Sequence, residues 1–94
     1  MRIIFQLLIV FLYRVDLRFS NLSETRFIGN DLKLVDFTGS DLSFSNLSDT
    51  NLRYVNLSGA DLTGADLTGA IIDGSTVLES VIFKCIGHEI CTGK

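Results

Sequence analysis

Residues 60–69 read Ala60-Asp61-Leu62-Thr63-Gly64-Ala65-Asp66-Leu67-Thr68-Gly69, one five-residue phrase stated twice. Steps of five from Leu62 in both directions meet Leu17, Leu22, Phe27, Leu32, Phe37, Leu42, Leu47, Leu52, Leu57, Leu62, Leu67 and Ile72, all large and apolar. On the same spacing Val77 and Ile82 continue the series and Leu12 extends it backward. Two residues before each centre stand Val15, Ser20, Thr25, Asn30, Val35, Ser40, Ser45, Thr50, Val55, Ala60, Ala65, Ala70, Ser75 and Ser80; all but Asn30 are small or β-branched. Between these two positions, from Asp16 to Asp66, every residue is Asp or Asn except Arg26.

A period of five fits neither regular element. A helix repeats its apolar face at 3.6 residues and a strand alternates at two. Five residues suit a chain that makes one short extended segment and one corner per repeat. The centre residue and the one two before it then share a face, as i and i+2 do on a strand. Both point inward and the Asp or Asn between them points out. The last two residues turn the corner, and Gly29, Gly39, Gly59, Gly64, Gly69 and Gly74 all stand two after a centre, where a tight turn calls for positive φ. Val15, Val35 and Val55 recur every 20 residues at the small inward position, which suggests four repeats per turn.

Across about residues 15 to 84 the pattern resembles the pentapeptide-repeat family, whose motif is roughly Ala, Asp or Asn, Leu, then two looser positions. Its best copies are the two phrases at 60–69; Ser40-Asp41-Leu42-Ser43-Phe44 and Ser45-Asn46-Leu47-Ser48-Asp49 are degenerate ones. The resemblance implies an all-β solenoid, a right-handed quadrilateral β-helix with four repeats per coil. About three and a half coils are expected, a rod about 17 Å long at the usual spacing of strands. Twelve copies in unbroken phase make the resemblance specific.

Composition agrees with a packed repeat. The chain has 94 residues, no Pro and no Trp, and 47% hydrophobic residues, too many for a disordered segment. The net charge of −3 argues against nucleic acid as a direct ligand, since phosphate binding needs clustered Lys and Arg. Some relatives in the family that confer quinolone resistance or inhibit DNA gyrase are acidic rods resembling duplex DNA. Here Arg18, Arg26, Lys33 and Arg53 interrupt the acids, so the one-sign field of a DNA mimic is weak.

The Asp/Asn column is read first as turn chemistry, because these side chains hydrogen-bond nearby backbone near a corner. Paired catalytic carboxylates are the competing reading. Cys85, His88 and Cys91 form a C-x2-H-x2-C run that supplies three zinc-type ligands where a structural site wants four. Metal is therefore not expected, and Cys85 falls in phase with the small inward residues. Two thiols alone leave the redox compartment open. The Asn-Leu-Ser triplets at 21–23, 46–48 and 56–58 are by-products of the repeat. Phe19, Phe44 and Tyr54 sit at corners, either as contacts for a partner or as loosely packed side chains. With one His and no nucleophile–base pair, no enzyme activity and no cofactor are expected.

Three segments follow from this reading: 1–13 as an apolar cap, 14–84 as the repeat and 85–94 as a tail or cap. Ile3 to Tyr13 is too short to span a membrane, and a targeting signal or a surface anchor are its alternatives. Toward the tail the motif decays: Ile71, Thr76 and Val81 fall in the Asp/Asn phase and Gly87 in a centre slot. Weak ends make an end-to-end homodimer, or membership of a longer chain, plausible outcomes. The expected function is a non-enzymatic structural or protein-interaction module with an unknown protein partner, placed in the cytoplasm. The alternatives are a gyrase or topoisomerase inhibitor of the DNA-mimic kind and a membrane-associated or exported repeat protein.

Overall fold

A computed structural model describes residues 14–92. Each repeat contributes a single bridging residue, so pairing takes the form of isolated parallel bridges rather than continuous strands among the described residues. A five-residue repeat that gives two residues to its corner has no room for more. The bridges link residues about 20 apart and build four ladders: Asp16–Asp36–Asn56–Val77, Asn21–Asp41–Asp61–Ile82, Arg26–Asn46–Asp66–Ile86 and Asp31–Asn51–Ile71.

The backbone is satisfied four ways per repeat. The centre N–H donates forward to the next turn's ladder carbonyl, as Leu17 does to Asp36 at 2.8 Å. The ladder N–H donates back, as Asp36 does to Val15 at 3.0 Å. The second corner residue donates forward, as Phe19 does to Thr38 at 2.8 Å, and the small residue donates to the centre carbonyl three before it, as Val35 does to Leu32 at 3.0 Å. Little peptide polarity is left in the interior.

The centre residues from Leu22 through Leu67 are fully buried, while Leu17 and Ile72 at the two ends are partly covered. Phe27 and Phe37 meet edge to face with centroids 5.8 Å apart. Small inward residues with hydroxyls return them to backbone carbonyls: Ser45 donates to Leu42 at 2.7 Å and Thr50 to Leu47 at 2.7 Å. Asn30, the exception in that column, is 2% exposed and its Nδ2 has no hydrogen-bond partner.

The strict five-residue phase fails after Ile72. The bridge spacing widens to 21 at Asn56–Val77 and Asp61–Ile82, then returns to 20 at Asp66–Ile86. One residue enters near Asp73–Gly74–Ser75 and one is lost before Ile86. Val77 and Ile82 are therefore not core centres; they stand in the outer ladders, 44% and 45% exposed. Leu78 and Phe83 pack inward instead, and Thr76 and Val81 take the small buried positions assigned on spacing to Ser75 and Ser80. The longer corner is held by Asp73, whose Oδ1 accepts from Ser75 N at 2.8 Å, and by Thr76 N donating to Asp73 O at 3.1 Å. Thr76 Oγ1 then donates to the Leu52 carbonyl at 2.9 Å. Gly74 lacks positive φ, while Ser80 adopts it at 59°.

Among the described residues the helical content is a 3-10 turn at Glu89–Thr92. Ile90 and Cys91 rest on the core there, so the last turn reaches Ile86 and a short cap follows. Residues 1–13, read from sequence as a cap or targeting segment, lie outside the described residues. No helix among the described residues is long and apolar enough to cross a membrane.

Candidate functional site

Three features carry polar or accessible chemistry: the Asp/Asn ladders, the Cys–His–Cys run and the corners. Every ladder Asp or Asn from Asp16 to Asp66 turns an oxygen toward the backbone N–H two residues later. Asp36 Oδ1 accepts from Thr38 N at 2.9 Å, Asp41 from Ser43 N at 3.0 Å, Asn46 from Ser48 N at 3.0 Å and Asp61 from Thr63 N at 2.9 Å. At most of these corners a Ser or Thr adds its hydroxyl, as Thr63 does to Asp61 at 2.6 Å. These are Asx turns, and Asn serves as well as Asp because only an acceptor is needed.

The ionisation follows from the same contacts. Asp66 is held below the usual carboxylate range by the Thr68 hydroxyl and then its N–H, and Asp73 by the Ser75 hydroxyl and N–H. Asp16 lies lowest, at about 2, chiefly because Arg18 bonds it through its side chain, with Nη2 2.8 Å from Oδ2. Each of these carboxylates favours its charged form and accepts from the backbone N–H of its own corner, which suits turn-holding rather than proton transfer. No cavity opens among the described residues.

The structure does not assemble Cys85, His88 and Cys91 as metal ligands. Cys85 and Cys91 are joined in a disulfide with a Cα–Cα distance of 5.0 Å, and His88 Nδ1 accepts from Ile90 N at 3.2 Å. Sequence spacing could not separate a ligand pair from a bonded pair. The deciding signal is Cys85 in the inward phase beneath a chain that turns back over it.

The corners are the third feature. All twelve positions stepping by five from Arg14 to Gly69 have φ between 56° and 74°. Seven of them are not glycine: Arg14, Glu24, Leu34, Asp49 and the aromatics Phe19, Phe44 and Tyr54. The aromatics are 76%, 65% and 59% exposed, more than any apolar residue within the repeat's core. The Phe19 ring lies over Gly39 one turn on, and the Phe44 ring over Gly64, so closely that a Cβ on either glycine would run into the ring. Tyr54 N–H donates to the Ser75 hydroxyl oxygen at 2.9 Å, where the lengthened corner withdraws the usual carbonyl. The three rings occupy three different corners and form no single stripe.

The model of the family described as pentapeptide repeats matches in eight copies over residues 12–43, 31–69 and 45–76. No curated relative matches the chain. Among solved structures it is similar to a pentapeptide repeat protein from the cyanobacterium Cyanothece 51142, at 30% identity and a TM-score of 0.78, covering 84% of this chain and 54% of that one. It is similar to a pentapeptide repeat protein of the Arabidopsis thaliana thylakoid lumen, at 30% identity and a TM-score of 0.66, covering 76% and 52%. It is also similar to full-length QnrB1, a plasmid-mediated fluoroquinolone resistance protein, at 26% identity and a TM-score of 0.55, covering 94% and 41%. The chain thus spans about half the length of the first two. Four ladders of Asx turns over a leucine core, with the family model matching most of their length, place this chain in the pentapeptide-repeat family.

Proposed function

We propose that this chain is a non-enzymatic interaction module, a right-handed, four-sided β-helix of about three and a half coils that meets a protein partner through its corners. The observation that carries this reading is the exposure of Phe19, Phe44 and Tyr54 on left-handed backbone. Exposed aromatics are the side chains that most often anchor a protein interface. The outer carboxylates and amides are engaged in turns, which leaves the three corner aromatics as the large side chains most open to a partner. The test uses the whole chain as bait in its native cell, beside Phe19→Ser, Phe44→Ser and Tyr54→Ser variants. A specific partner held by the wild type and lost from at least one variant is the expected result. The same partner retained by the triple variant would sink the corner reading.

A second reading is a topoisomerase-directed inhibitor, supported by the overlap with QnrB1 and by acid pairs along the ladders, Asp16 over Asp36 and Asp41 over Asp61. The interleaved Arg18, Arg26, Lys33 and Arg53 weigh against it. Unchanged gyrase supercoiling and quinolone sensitivity at micromolar protein would remove it.

The Cys85–Cys91 bond shifts the expected compartment away from the cytoplasm toward an oxidising one, because reducing compartments keep such thiols free. Thiol labelling of the chain in its native cell tests this: free, alkylatable cysteines return it to the cytoplasm.

A further inference from the structure

The corners stack along the rod into four edges, and one of them breaks the repeat in side chains, corner length and backbone bonding. The bridges Asp31–Asn51 and Asp36–Asn56 flank it, so Lys33 and Arg53 stand one turn apart, and so do Leu34 and Tyr54. Elsewhere from residue 18 to residue 68 the first corner residue is Ser or Thr, apart from Arg18 and Ile28, and its hydroxyl strengthens the turn, as at Ser43 and Thr63. Here two successive turns give up that hydroxyl for a cation. The other three edges each carry glycine in the left-handed region, at Gly39 and Gly59, at Gly64, and at Gly29 and Gly69, whereas this one carries Arg14, Leu34 and Tyr54. The lengthened corner Asp73–Gly74–Ser75 falls on the same edge, next to Arg53 and Tyr54. The bond that ties one corner to the next, as Phe44 N donates to Thr63 O at 2.7 Å, is missing between Leu34 and Arg53 among the described residues.

Stacking two cations one turn apart is unfavourable, because like charges repel at the strand spacing of about 4.8 Å. The coil relieves this little. Neither Lys33 nor Arg53 forms an ion pair among the described residues. The neighbouring carboxylates serve their own corners: Asp31 Oδ1 accepts from Lys33 N at 3.1 Å and Asp73 Oδ1 from Ser75 N at 2.8 Å. Arg53 ranks behind the Ser75 hydroxyl and N–H in its influence on Asp73. Arg53 Nε donates to the neutral Asn51 Oδ1 at 3.1 Å, and its two Nη groups find no acceptor among the described residues. We propose that Lys33 and Arg53, with Leu34 and Tyr54 beside them, form an edge that reads anions, and that its occupant is a short acidic peptide segment of a partner protein.

Charge selects the occupant. A guanidinium and an ammonium at this spacing bond one carboxylate together, or two on neighbouring residues. Duplex nucleic acid carries a charge every ~1.7 Å and would run its remaining phosphates over Asp31 on one flanking ladder and Asp16 and Asp36 on the other. An anionic lipid surface meets the same repulsion. A peptide confines its charge to one or two residues and can lay an apolar neighbour on Leu34 and on the Tyr54 ring, which is 59% exposed. The proposal rests on the reading that the corners meet a protein partner, and it gives one edge its chemistry.

Nuclear magnetic resonance of the isotope-labelled full chain tests it, with a short peptide that carries a glutamate pair flanked by leucine and phenylalanine in a glycine–serine background. Amide shifts should centre on residues 33–34, 53–54 and 73–75, with a Kd of about 100 µM that weakens severalfold between about 50 and about 300 mM NaCl. The glutamine analogue of the peptide should not bind. The double variant Lys33→Ser/Arg53→Ser restores the residue that most other corners carry. Its binding should fall roughly tenfold while its urea midpoint rises, because two turn hydroxyls are gained and the stacked charges are gone. A lower midpoint would make the cations structural and overturn the proposal. So would no binding at about 1 mM, equal binding of the glutamine analogue, or stronger binding of a single-stranded oligonucleotide or of phosphatidylserine vesicles. A native partner lost from Phe19→Ser or Phe44→Ser but kept by the cation variant would leave the corner reading standing and sink this one.

Discussion

Replacing Gly64 by alanine should cost more than replacing Gly29, and the difference should come from Phe44. Both glycines hold left-handed backbone, at φ +68° and +72°. A Cβ built on Gly29 meets nothing within 4 Å, so Gly29→Ala carries only the backbone penalty, about 1 kcal/mol. A Cβ on Gly64 would collide with Phe44, lying 2.5 Å from its Cε1. The ring is 65% exposed and can swing aside, at the cost of its contact with the glycine and of an unfavourable rotamer, about 1 kcal/mol more. Gly64→Ala should thus lose about 2 kcal/mol in all. In a Phe44→Ala background the extra loss should vanish, which gives a coupling of about 1 kcal/mol between the two sites. Urea unfolding followed by far-UV circular dichroism measures all four proteins and the Gly29→Ala control. If Gly29→Ala and Gly64→Ala agree within about 0.3 kcal/mol, or if removal of the ring brings no relief, the close packing of ring on glycine is refuted.

Asn30→Thr should stabilise the chain by about 1 kcal/mol, since it removes a buried unpaired amide and lets a hydroxyl donate to the Phe27 carbonyl as Thr50 does to Leu47; a lower urea midpoint would contradict this. Asp66→Asn should leave stability at pH 7 nearly unchanged, because Asn46 makes the same turn with Ser48. The pKa of Asp66 is lowered in the fold, so its contribution is complete above the unfolded value near 3.9 and is lost as pH falls below it. The variant should therefore flatten the acid side of the stability profile, and an identical loss at pH 3 in both proteins would count against the carboxylate's role. Reducing Cys85–Cys91, six residues apart, should lower stability by about 2 kcal/mol on loop-entropy grounds. Thermal unfolding with and without a dithiol reads this, and equal midpoints would mean that the bond does not hold the cap.

The period of five was legible because three independent signals share it. Leucines mark the centre, Asp or Asn marks the outer position, and together they fix the register: a slip of one residue would put a carboxylate in the core. From Ile71 onward that protection is gone. Thr76-Val77-Leu78 and Val81-Ile82-Phe83 offer two adjacent apolar residues for each inward slot, so spacing alone reads Val77 and Ile82 as core. What moves them outward is local turn chemistry, Asp73 holding Ser75 in a corner one residue longer, and a hydroxyl on Thr76 that finds the Leu52 carbonyl. Neither competes visibly with a strict period on the page of the sequence. The disulfide was hidden for a related reason: Cys85 alone has the inward phase, and only the fold of the 3-10 turn returns Cys91 to it.

The corner is where the chain keeps freedom, and the backbone sets its terms. Twelve successive corners adopt the left-handed region whatever residue occupies them, from Arg14 through Gly69. The geometry therefore belongs to the coil, imposed by ladders on either side, and not to glycine. Each non-glycine there carries a penalty of about 1 kcal/mol that some other gain must offset. At Leu34 the gain is partial burial. At Phe19 and Phe44 the ring covers the glycine of the next turn, yet most of its surface remains in water. Covering one glycine needs far less than a phenyl ring, and the surplus apolar surface at these two corners and at Tyr54 is what the coil does not use. Among the described residues, the apolar surface along the shaft that the fold does not need thus lies on separate corners. That distribution suits a rod whose sides remain available to a partner.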